Sequence, residues 1–85
     1  MNLRLHLANL LGEVNIEVSE STKKHGEFAS AHEGYAVILE ELDELKEHVW
    51  KNTGYSEEAY NEAKQIAAMG VKFMQMIASR QGSRS

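Results

Sequence analysis

Cysteine and proline are both absent from the 85 residues, and there are only six glycines. Without cysteine there is no disulfide, no thiolate metal site and no cysteine nucleophile. That composition fits a reducing compartment, so a cytoplasmic location is expected. Without proline, and with few glycines, long helices run with no built-in break. Positive charge is also scarce. Nine Lys and Arg face thirteen Asp and Glu, for a net charge of −4. The basic residues are scattered, so no general nucleic-acid-binding surface is expected. No apolar run approaches the roughly 20 residues that cross a bilayer, so no membrane partner is expected either. The stretch "MNLRLHLANLL" is short and amphipathic and lacks a clear cleavage site, unlike a signal peptide. What is present is 42% hydrophobic and 26% charged, the balance of a folded domain. The length allows one small domain, residues 1–81, with "GSRS" at 82–85 set apart as a tail. A domain this small buries a modest core, which makes self-association an expectation from the outset.

The pattern predicts three helices. In the first, from about Leu3 to Lys24, Leu3, Leu7, Leu10, Leu11, Val14 and Val18 form one stripe. Leu5 and Ile16 fall on the other side, as in a helix with two neighbours. The alternation Leu3, Leu5, Leu7 suits a short strand equally well. Gly26 sits at a C-cap position, and Lys23 and Lys24 suit the negative end of the helix dipole. Ser30 with Glu33 reads as a capping box opening a second helix, from about Ala31 to Lys51. Tyr35, Ile38, Leu39, Leu42, Leu45 and Val49 make its expected inward stripe, with Trp50 at the edge. Gly54 is the expected breaker, and Ser56 caps a third helix from about Glu57 to Arg80, with Glu57 and Glu58 in its first turn. Its apolar face holds Ala59, Ala63, Ile66, Ala67, Gly70, Phe73, Met74 and Ile77, and its small residues permit close helix approach. Met69, Met74 and Met76 read as packing residues. The fold class is therefore all-α, a three-helix protomer whose bundle a homodimer would complete.

Glu40, Glu41, Asp43, Glu44 and Glu47 fall within eight residues. At roughly 100° per residue they separate into two groups. Glu40, Asp43 and Glu47 lie on the wet side, Glu47 one turn before Lys51. Glu41 and Glu44, three apart, share a face with Val37 and His48. Glu62 precedes Ile66, Met69 and Phe73 at helical spacing, so it borders an apolar stripe and needs a partner. A lysine or arginine would serve. A divalent cation shared with Glu41 and Glu44 would serve better, because bundles build such sites from inward glutamates on facing helices. Oxygen-only ligands select magnesium or manganese. His6, His25, His32 and His48 make no zinc pattern, and no serine–histidine–acid set or phosphate-binding glycine loop is visible.

"KHGEFASAHEGYAVILEELDEL" followed by "EAYNEAKQIAAMGVKFM" resembles the MazG-like branch of the all-α nucleoside triphosphate pyrophosphohydrolases, over roughly Lys23 to Met74. That superfamily carries E-x-x-E on one helix and E-x-x-D on the next, and these bind magnesium. The resemblance places the first pair on Glu41 and Glu44 and starts the second at Glu62. Gln65 stands where aspartate is expected. Its amide oxygen still coordinates, but the set loses a negative charge, with Glu58, one turn before Glu62, as a substitute. The implied activity is magnesium-dependent hydrolysis of a nucleoside triphosphate to monophosphate and pyrophosphate. The alternative is a dimeric helical binding protein of the same fold with weak or no catalysis. The resemblance assigns neither a catalytic base nor the groups that read the nucleobase.

Overall fold

A computed structural model describes residues 5–82, and Leu3 and residues 83–85 lie outside that range. Three helices follow in order, α1 (Leu7–His25), α2 (Ala31–Trp50) and α3 (Glu57–Gly82), with no strand among the described residues. None of them is long and apolar enough to cross a membrane.

Local chemistry sets the helix ends. Gly26 closes α1 at φ 74°, a conformation that only glycine adopts without strain, and its N–H reaches the Thr22 carbonyl at 2.8 Å. The Ser30 side chain accepts from the Glu33 N–H at 3.1 Å and opens α2. The stop after α2 differs from expectation. Asn52, not Gly54, takes the left-handed conformation (φ 62°). The Thr53 N–H and hydroxyl both donate to the His48 carbonyl, and those bonds tie off the helix end. The Ser56 hydroxyl then accepts from the Ala59 N–H and starts α3. The third helix runs two residues past Arg80, into the segment set apart as a tail.

The long α3 lies between the other two, whose backbones do not approach each other among the described residues. Tyr60, Gln65 and Lys72 bond Glu13, Glu17 and Ser21 in ascending order, so α1 runs parallel to α3. Arg80 donates to the Ala29 carbonyl, while Glu62 meets Glu41 and Glu44, so α2 runs antiparallel. The core is small: Val18, Phe28, Ala68, Met69 and Met76.

The inward face of α2 is not the one its hydrophobic stripe implies. Tyr35 is 64% exposed, Leu42 49% and Val49 48%, and Leu39 is exposed as well. Facing α3 instead are Gly34, Val37, Glu41, Glu44 and His48, with Ile38 and Leu45 at the boundary. Gly34 explains the choice. A Cβ there would stand 2.7 Å from the Phe73 ring and 3.0 Å from Phe28, so only glycine lets the helices approach on this side. Similar corrections apply elsewhere. Ala63, Ala67, Met74 and Ile77 of α3 are exposed, while Met69 and Met76 are buried. On α1, Leu7 and Leu11 of the expected stripe are exposed, as are Leu5 and Ile16 on the other side.

Candidate functional site

Because α1 and α2 splay from a shared partner, an open cleft of about 980 Å³ separates them. Its floor is one stripe of α3: Glu62, Gln65, Met69 and Lys72, at steps of three, four and three. Glu17, Glu20 and Ser21 line the α1 wall, and Val37, Glu40 and Glu41 the α2 wall. The connection between the two helices closes one end with His25, Gly26 and Phe28.

The cleft has two electrical poles. At one, Glu41 and Glu44 from α2 and Glu62 from α3 each place a carboxylate oxygen within 4.8 Å of the others. All three are partly buried. The Glu62 Oε2 atom is shielded from solvent and has no hydrogen-bond partner. Acids so arranged resist ionisation. Burial lifts Glu62 above the ordinary carboxylate range, with the neighbouring Glu41 adding to it and Glu44 and His48 opposing. Burial also lifts Glu41, with Glu44, Glu40 and Glu17 contributing repulsion. Glu44 is raised chiefly by its contact with Glu62.

A hard divalent cation fits this pole on its chemistry. The donors are all oxygen, they carry excess negative charge, and one is buried and unpartnered. A cation held by three such ligands would keep positions for further oxygen ligands.

Gln65 does not join the trio. Its amide Nε2 donates to the Glu17 carboxylate on α1. Glu58 is exposed and lies outside the trio as well. His48 shares the face of the trio, with its Nδ1 3.4 Å from the Thr53 hydroxyl.

Two participants were not singled out from the sequence. Glu17 brings a fourth acid toward the cleft, close enough to raise Glu41. Lys72 lies at the opposite pole, 3% exposed, with its ammonium 2.8 Å from the Ser21 hydroxyl. The periodic signal for both is present: Glu13, Glu17, Ser21 and Lys24 share a side of α1, as Glu62, Gln65, Met69 and Lys72 share a side of α3. Periodicity does not reveal that these two sides face one cleft. Compared with family models, curated proteins and solved structures, the chain matches none.

Proposed function

We propose that this protein is a magnesium-dependent nucleotide pyrophosphohydrolase, converting a nucleoside triphosphate or deoxynucleoside triphosphate to its monophosphate and pyrophosphate. The observation that carries this proposal is the carboxylate trio with its buried, unpartnered Glu62 oxygen at the end of a cleft of ligand size. The resemblance of "HEGYAVILEELDEL" and "EAYNEAKQIAAMGVKFM" to the MazG-like proteins supplies the reaction. Water attacks the α-phosphorus, the bond from that phosphorus to the bridging oxygen breaks, and pyrophosphate leaves.

In this assignment Glu41, Glu44 and Glu62 hold magnesium, or manganese in its place. An ion held by these three would supply charge neutralisation for the phosphates and a more acidic water. Gln65 orients Glu17, whose carboxylate restores negative charge where an aspartate is missing. The exposed apolar residues of α2 favour work as a homodimer or larger homo-oligomer, because Tyr35, Leu39, Leu42 and Val49 lie on one side of that helix. The lack of cysteine favours the cytoplasm as the place of action.

The test is to incubate the protein with magnesium and a panel of standard and modified nucleoside triphosphates and to assay pyrophosphate. Release that disappears in Glu41→Gln and Glu62→Gln, with folding retained, supports the enzyme. No turnover across the panel, with no thermal shift in magnesium or manganese, sinks it. Gln65 gives a second reading its one specific support. Its side chain serves Glu17 rather than the trio, as expected of a helical binding protein that keeps the fold with weak or no catalysis. Metal-dependent nucleotide binding without pyrophosphate release selects that reading.

A further inference from the structure

We infer that Lys72, set against Ser21 and Phe28, is a built phosphate-binding pole of the cleft, separate from the carboxylate trio. The choice of phosphate as its anion rests on the nucleotide reading of this cleft. The observations themselves concern only the lysine and its surroundings.

A lysine ammonium is strongly hydrated and is almost never fully buried unless paired. Lys72 is 3% exposed, yet among the described residues no carboxylate forms an ion pair with it. Its ammonium has three N–H donors. One reaches the Ser21 hydroxyl at 2.8 Å, and the group stands 5.0 Å from the centre of the Phe28 ring. A hydroxyl and an aromatic face soften the loss of water without cancelling the charge. Lys72 lines the cleft together with Ser21 and Phe28.

Further cations stand near the lysine. Lys23, Lys24 and His25, the last residues of α1, line the same end of the cleft. Glu17, Glu41 and Glu62 lie toward the other end, while Glu20 and Glu33 line the cleft nearer the lysine without forming an ion pair with it. Glu62 and Lys72 are ten residues apart on one face of α3, or about 15 Å along its axis. Ser21 stands one turn, about 6 Å, beyond Glu17 on α1. An elongated ligand with a metal-bound group at one end and a free anionic group farther along matches this polarity. Lysine serves such a group as a point charge, and a neighbouring hydroxyl adds a directional donor.

The experiment is calorimetric titration of inorganic pyrophosphate into the full chain in EDTA, alongside manganese alone. Wild type is expected to bind pyrophosphate without metal. Lys72→Met keeps an unbranched buried side chain and removes the charge, so affinity should fall roughly tenfold or more, as for loss of a charge-assisted hydrogen bond. Glu62→Gln should keep pyrophosphate binding while losing manganese. Failure of wild type to bind pyrophosphate in EDTA overturns the inference, as does unchanged affinity in a folded Lys72→Met. If Lys72→Met does not fold, Ser21→Ala leaves the lysine in place and should weaken binding several-fold; unchanged affinity there counts against the pole. Pyrophosphate binding that depends on Lys72 in a protein blind to manganese keeps this inference and removes the metal site.

Discussion

Replacing Glu62 by glutamine should stabilise the metal-free protein and abolish its response to magnesium, two effects of opposite sign from one change. Glu62 meets two other carboxylates whose oxygens lie within 4.8 Å. Unit charges at that distance repel by about 1–3.5 kcal/mol per pair for an effective dielectric between 80 and 20. The acids take up protons rather than bear this in full, which is what their raised pKa values express. The relief on mutation therefore falls near the low end, about 1–2 kcal/mol. Glutamine also supplies an N–H₂ donor to acids that have too few. For a domain of this size, that shift raises Tm by roughly 5–10 °C. Magnesium acts in the other direction. At a hundredfold excess over Kd, a ligand bound only by the folded state stabilises by about 2.7 kcal/mol. Wild type should gain ten degrees or more, and Glu62→Gln almost nothing. The assay is thermal unfolding by circular dichroism at pH 7.5, in EDTA and in magnesium. A Glu62→Gln protein less stable than wild type in EDTA would refute the electrostatic account. A wild type indifferent to magnesium would remove the metal site with it.

Three further outcomes are expected. The trio's pKa values are raised from 4.5 in the fold, so below that value folded and unfolded chains are both protonated and the full contribution is present. As pH rises above 4.5 the unfolded chain loses its protons first, and stability drains away until the folded values are passed. Without metal, the Tm of wild type measured against Glu62→Gln should fall over that window, and magnesium should reverse the trend; a flat difference would contradict the shifts. Gly34→Ala should destabilise by about 1–2 kcal/mol, because the clash with Phe73 outweighs a helix-propensity gain of at most about 1 kcal/mol. Gly12→Ala, where an added Cβ meets nothing within 4 Å, should stabilise by up to that amount, and denaturant titration of both variants checks the contrast. Ser30→Ala should cost about 1 kcal/mol through loss of the bond from the Glu33 N–H, read the same way.

Three helices and most of their ends were legible in the sequence, because capping residues act locally. Ser30 and Gly26 do their work within four residues of themselves. Glu41, Glu44 and Glu62 were legible as acids apart from the wet face, because helical period alone places the first two with Val37 and the third beside apolar neighbours. The inward face of α2 was not legible. Hydrophobicity favours the stripe of Tyr35, Leu39, Leu42 and Val49, but close approach at Gly34 turns the acidic face to α3. That decision rests on the fit of a ring against a bare backbone, which no pattern of residue types records. Lys72 and Glu17 were missed for a related reason. Each is defined by a partner about fifty residues away, Ser21 and Gln65, and only the parallel packing of α1 on α3 brings them within reach. The sequence by itself determined where the chain is helical and which acids avoid water. Tertiary structure decided which faces meet, and so which of those acids share one point and which lysine loses its water farther along the cleft.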